Sequence, residues 1–150
     1  KMPNAKFVIA GKGPAEQYYK DMVKSMGLSE NFLFLGYVPG QDLPGLYRAA
    51  DVFVFPSLFD TQGLVVLEAM ATGTPAVVPR NSAPAEFVNE GVSGYHFSEA
   101  QDLSEKILSA IKNKDSLSKN AASSAKKYDL RACALDMLEF YESALKDRRK

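Results

Sequence analysis

Cys133 is the only cysteine of this 150-residue chain and His96 its only histidine. An internal disulfide is therefore impossible, and a Cys/His zinc site has too few ligands. A Ser-His-Asp or Cys-His hydrolase would have to work through His96, which stands in the apolar run Gly94-Tyr95-His96-Phe97 with nothing resembling a nucleophile elbow beside it. Long apolar runs are missing too. Val52 to Phe55 and Ala76 to Val78 are among the longest, far short of the ~20 residues that span a bilayer. Lys1 leads through Pro3 and Asn4 into a strand-like run, not into a secretory signal, so the cytoplasm is the expected compartment. Net charge is absent as well, with 18 basic and 18 acidic residues, and nothing global points to nucleic acid or to acidic partners.

What is present is the composition of a globular domain, 46% hydrophobic and 24% charged, in a chain long enough to bury one core. One domain is expected. The run Lys6 to Ala10 reads as a buried strand, and Gly11-Lys12-Gly13-Pro14 turns it into a helix with Pro14 at the first position and Gly27 at the end. Phe32 to Gly36 reads as a second strand. Asp42 to Ala50 follows as a helix with Leu43, Leu46, Tyr47 and Ala50 on one face.

Val52 to Phe55, apolar at every position, suits a parallel strand covered on both faces. A helix from Gly63 to Ala71, stopped by Gly73 and Pro75, leads to a strand at Ala76 to Pro79. The last third is helical, with Leu103, Ile107, Leu108 and Ile111 at helical spacing. A long amphipathic helix, Leu130 to Leu145, follows and uses Ala134, Leu135, Leu138 and Tyr141. Strands and helices alternate, which predicts an α/β fold around a doubly wound parallel sheet. The basic end, Lys146 to Lys150, reads as a solvated tail.

In open parallel sheets ligands bind beyond the carboxyl ends of the strands, where loops and helix N-termini converge. Two such loops carry glycine. Gly11 and Gly13 form a G-x-G without the third glycine of a dinucleotide fingerprint or the ending of a P-loop, so a tight turn and a ligand contact both remain open. The second loop runs from Phe55 through Pro56, Ser57, Asp60, Thr61 and Gln62 to Gly63, Leu64 and Glu68. A helix starting near Gly63 would aim unpaired N–H groups at the strand's carboxyl end, a ready anion site. Glu68 lies one turn after Leu64 on the same face, and Asp60 stands at the loop's mouth. A diphosphate on the amides with carboxylates to either side suits a sugar nucleotide, which has hydroxyls at both ends. Spacing alone equally allows Asp60 to cap the loop and Glu68 to be a solvated helix residue.

At these residues the chain resembles the retaining GT-B glycosyltransferases, the large family that includes glycogen synthases, sucrose synthases and many mannosyl- and glucosyltransferases. Its hallmark, two acidic residues separated by seven within P-S-x-x-E-x-x-G-L/F-x-x-x-E-A-M-A-x-G-x-P-V-V, is matched by Pro56-Ser57, Asp60, Gly63, Glu68-Ala69-Met70-Ala71, Gly73, Pro75 and Val77-Val78. Ile9 to Pro14, Phe34 to Val38, Leu46 to Asp51, and Pro84 to Val88 with Gly91, Gly94 and Tyr95 agree in order and distance. The resemblance covers nearly the whole chain.

It implies that Glu68 binds the ribose hydroxyls of a UDP-, GDP- or ADP-sugar and that the amides around Gly63 and Leu64 take the distal phosphate. Asp60, with Thr61 and Gln62, would face the transferred sugar as the catalytic position, and Gly36-Tyr37-Val38 would lie beside the base. No metal and no cofactor is implied, the nucleotide sugar being the substrate. Asp60 stands where most members have glutamate, a side chain longer by one methylene.

The family's G-R-x-x-x-x-K-G strand and helix, and the acceptor-binding domain before them, would lie upstream. The chain is thus expected to be the donor-binding part of a larger hexosyltransferase, inactive alone and incomplete at its start. Its acceptor would be a glycan, a lipid or a small molecule, with peripheral membrane contact in the full-length enzyme. A noncatalytic remnant that binds a nucleotide sugar or a partner protein is the competing reading. A sugar-nucleotide epimerase would need a different carboxylate arrangement and more histidines. In the family the missing strand separates the equivalents of Lys6 to Ala10 and Val52 to Phe55, so those two runs are not expected to pair directly.

Overall fold

The computed structural model describes residues 4–147. It divides into two compact units, one ending at Leu43 and one beginning at Pro44. Residues 148–150 of the basic end, and the first three residues, lie outside the described part.

In the first unit, β1 (Phe7–Ala10) and β2 (Phe32–Gly36) pair in parallel, Phe7 opposite Phe32 and Ala10 opposite Gly36, with a register irregularity between Ile9 and Ala10. The connection is α1 (Glu16–Ser25). Pro14 is not the first helical residue. The Glu16 N–H donates to the Gly13 carbonyl (3.1 Å), so Pro14 occupies the second place of a turn that its fixed φ favours, and the helix starts two residues later. The helix ends as expected at Gly27, in the left-handed region at φ 68°, with the N–H groups of Gly27 and Leu28 on the carbonyls of Lys24 and Val23. The expectation of a buried first strand fails: all four residues of β1 are exposed, because a two-stranded sheet and one helix with no buried residue cannot cover both faces.

In the second unit, α2 (Leu43–Ala49, its first residue in the first unit) is followed by β3 (Phe53–Val54), α3 (Leu64–Ala71), β4 (Ala76–Pro79) and β5 (Gly94–Phe97). The three strands form a parallel sheet in the order β3-β4-β5. Three helices complete the unit: α4 (Ala100–Lys112), α5 (Lys114–Ala125) and α6 (Leu130–Asp147).

The core sits on β4. Ala76 and Val78 pack with Val66 and Met70 of α3 and with Ala121 and Ala125 of α5. Val77, pointing to the opposite face as strand alternation requires, packs with Phe97, Ala110 and Leu117. Gly94 permits the close approach of β5, since a Cβ there would stand 2.1 Å from the Ala76 carbonyl oxygen. By contrast, Leu135, Leu138 and Tyr141 of α6 are exposed. Among the described residues no helix is long and apolar enough to cross a membrane.

Candidate functional site

The candidate residues fall in both units. In the first, the loops after the two parallel strands meet at their carboxyl ends: the Gly11 N–H donates to the Gly36 carbonyl (2.7 Å). Gly36 adopts φ 65°, Gly11 and Gly13 are exposed, and Tyr37 is 71% exposed beside a half-buried Val38. Tyr37 thus presents an exposed aromatic ring next to the residue where the two loops meet.

In the second unit, β3 ends before Pro56, whose missing N–H ends strand pairing, and the loop runs to Gly63. Asp60 Oδ1 accepts from the Gln62 N–H (2.9 Å) and, in a shorter contact, from the Gly63 N–H. Asp60 therefore caps its own loop here, one of the two roles that spacing allowed, and occupies an amide assigned to phosphate. The N–H groups of Leu64 and Val65, next along α3, meet no acceptor among the described residues. Asp60, Thr61, Gln62 and Leu64 are exposed.

Gly63 has a structural reason beyond ligand approach. It lies at φ 66° as the residue before α3, and a Cβ there would come within 2.7 Å of Pro84. The Pro84 segment thus wedges the start of α3. That function was not foreseen from the motif, where Pro84 marked only a match in spacing.

Glu68 is exposed on α3, but it is not simply solvated. The Tyr47 hydroxyl donates to its Oε2 (3.0 Å). Tyr47 is 8% exposed, its ring set edge-on against Phe53 (5.3 Å between centroids). Its backbone carbonyl accepts from Thr74 Oγ1 (2.6 Å), a buried hydroxyl. Burial, then the hydrogen bond to Glu68 and the charge of its carboxylate, push the Tyr47 phenol up to about 12, so it remains a donor at any ordinary pH. The sequence placed Tyr47 on the apolar face of its helix and missed this contact. The available signal was general: a buried tyrosine hydroxyl needs a partner.

Glu68 also borders a shallow cleft of about 320 Å3 walled by Leu67, Ala71, Ala122 and Ala125; Asp60 and Gly63 do not line it. His96 lies elsewhere, on β5, its Nδ1 3.5 Å from Glu90 Oε2.

The glycosyl transferases group 1 family matches residues 1–128 of the chain. The chain belongs to that family. It is 33% identical over 129 residues to the alpha-monoglucosyldiacylglycerol synthase of Acholeplasma laidlawii, covering 84% of this chain and 32% of that protein. It is 44% identical over 91 residues to an uncharacterized glycosyltransferase of Methanocaldococcus jannaschii, covering 61% of this chain and 23% of the other. The crystal structure of Anabaena HepE in complex with UDP superposes with a TM-score of 0.82 at 25% identity, covering 94% of this chain and 42% of that one. The fold is thus the Rossmann-like carboxy-terminal domain of a GT-B glycosyltransferase, and the chain spans a quarter to a third of the length of these two relatives.

Proposed function

We propose that this glycosyltransferase chain is the donor-binding part of a longer retaining hexosyltransferase and that it grips a nucleotide sugar through Glu68 and the start of α3. The carrying observation is the Glu68 carboxylate, exposed for a ligand yet held at one oxygen by Tyr47, one helical turn beyond the unpaired Leu64 amide. In this reading the free lone pairs of Glu68 accept the ribose hydroxyls, and the Leu64 and Val65 amides, with the positive end of α3, take the distal phosphate. Asp60, Thr61 and Gln62 face the transferred sugar, and the family resemblance assigns Gly36, Tyr37 and Val38 of the first unit to the base. Gly11 and Gly13 lie one hydrogen bond away from Gly36. The chemistry supplied is positioning and stabilisation of the departing diphosphate, with no metal.

UDP, the nucleotide in the HepE complex, is the first ligand to test, with GDP and ADP as comparisons. A lipid acceptor and peripheral contact with a cytoplasmic membrane surface agree with the diacylglycerol-directed relative. One observation favours the competing reading, a noncatalytic binding module: the Asp60 carboxylate is already engaged by its own loop.

Glu68→Ala in the full-length protein should weaken UDP binding by ~1.5 to 3 kcal/mol, the value of hydrogen bonds to a charged group, without loss of fold. Calorimetry showing unchanged affinity would return Glu68 to the role of an ordinary surface residue. Asp60→Glu should change turnover more than affinity. The 150-residue chain alone should turn over no UDP-sugar, and measurable transfer by it would contradict the assignment of the acceptor site to another part of the protein.

A further inference from the structure

We propose that Tyr47 is a positioning residue for nucleotide binding, holding the Glu68 carboxylate in the one orientation that can receive both ribose hydroxyls. The inference rests on the reading of Glu68 given above and adds to it a residue from a different element.

An exposed glutamate on a helix samples many rotamers, and a ligand that needs one of them must overcome that freedom. Glu68 is exposed in that way, but its Oε2 is tied at 3.0 Å to a hydroxyl on α2, 21 positions earlier in the chain. That hydroxyl cannot swing with it. The Tyr47 ring is buried against Phe53, and its backbone is pinned by the Thr74 hydroxyl at 2.6 Å. Thr74 itself is 2% exposed and shares a hydrogen-bond distance of 3.2 Å with Thr72, the residue that ends α3. The carboxylate on α3 is thereby referenced to a buried network that returns to the far end of the same helix.

The chemistry fits a vicinal diol. An ionised carboxylate has about four lone-pair sites. Tyr47 takes one on Oε2, leaving the second site of Oε2 and both sites of Oε1 for the two hydroxyls of a ribose. A tyrosine donor also keeps the carboxylate's charge, which a lysine or arginine partner would offset before the ligand arrived.

The test compares UDP with 2′,3′-dideoxyuridine diphosphate, which has the same base and diphosphate but no ribose hydroxyls. Calorimetry on the full-length protein measures both ligands with the wild type, Tyr47→Phe and Glu68→Gln. Tyr47→Phe keeps the ring against Phe53, and because Glu68 is exposed the lost hydroxyl strands no buried partner, so the fold is retained. We expect the substitution to lower UDP affinity about fivefold to tenfold and to leave the dideoxy nucleotide within twofold, collapsing the preference for the diol. Glu68→Gln should collapse it at least as far.

A merely structural role for Tyr47 would weaken both nucleotides alike, and that result overturns the proposal. Should Glu68→Gln collapse the preference while Tyr47→Phe preserves it, the ribose reading stands and the positioning role is wrong. Should neither variant change it, or should the wild type show no diol preference, the reading of Glu68 itself fails and the inference falls with it.

Discussion

Strands β1 and β4 look alike as sequence, Phe-Val-Ile-Ala against Ala-Val-Val-Pro, yet their side chains have opposite fates. Phe7, Val8 and Ile9 are between 41% and 46% exposed, whereas Ala76, Val77 and Val78 are wholly buried. The backbone chemistry is the same, since both are parallel strands. The neighbours differ. β4 has a strand on each side and apolar side chains from α3, α4 and α5 over its two faces; β1 belongs to a two-stranded sheet with β2. An apolar run specifies a strand, and burial is conferred by what the rest of the fold brings to it.

The sharpest way to break this comparison is to truncate a matched side chain in each strand. Val77→Ala should cost about 2 kcal/mol through lost burial and an unfilled cavity, while Val8→Ala should cost less than about 1 kcal/mol. Urea unfolding midpoints measure both. Equal losses at the two positions would show that β1 is covered as thoroughly as β4.

The next effect concerns the buried Tyr47 hydroxyl of the second unit, which is paired with Glu68. With the Tyr47 phenol raised from 10.0 to about 12, the folded state holds its proton more tightly than the unfolded chain. The stability tied to that proton is complete below pH 10 and is lost as pH rises to about 12. A shift of this size corresponds to roughly 2 to 3 kcal/mol at most. Stability measured from pH 9 to 12 should fall less steeply in Tyr47→Phe, and parallel curves would show that folding leaves the phenol's hold on its proton unchanged.

The smallest effect is at the edge of the same unit. Burial tends to raise the Glu90 carboxyl, but its hydrogen bonds to Lys106 (2.7 Å) and the His96 N–H, together with their charges, outweigh it and hold the group below 4.5. A depressed carboxyl stabilises above its unfolded value, and that contribution disappears as pH falls through the folded one. Lys106→Met should move the acid unfolding midpoint slightly upward in pH. Partial exposure of Glu90 keeps the change modest, and no change would mean solvent already screens the pair.

Legibility differed between elements for physical reasons. The bounds of β2 and β4 are legible in the sequence to the residue because unbroken apolar runs are flanked by glycine or proline. β5 carries little strand signal, because its four residues include a histidine and a glycine, and the glycine is there to let β5 approach the Ala76 carbonyl. Helix α5 has no separate signature within the helical last third because two of its three buried positions are alanines, Ala121 and Ala125, which look like helix formers and not like core. In the site, the order Asp60, Gly63, Glu68 was visible as a motif.

The chain's own residues determined that it is an α/β chain of alternating elements, where most of those elements lie, and which motif carries the family, because periodicity and punctuation are local properties of sequence. Three matters were decided only by the tertiary structure: that β1 stays exposed, that Asp60 turns back onto the Gln62 and Gly63 amides, and that Tyr47 reaches Glu68. Each depends on which surfaces meet after folding. A hydroxyl's partner 21 positions away leaves no mark in the spacing of either segment.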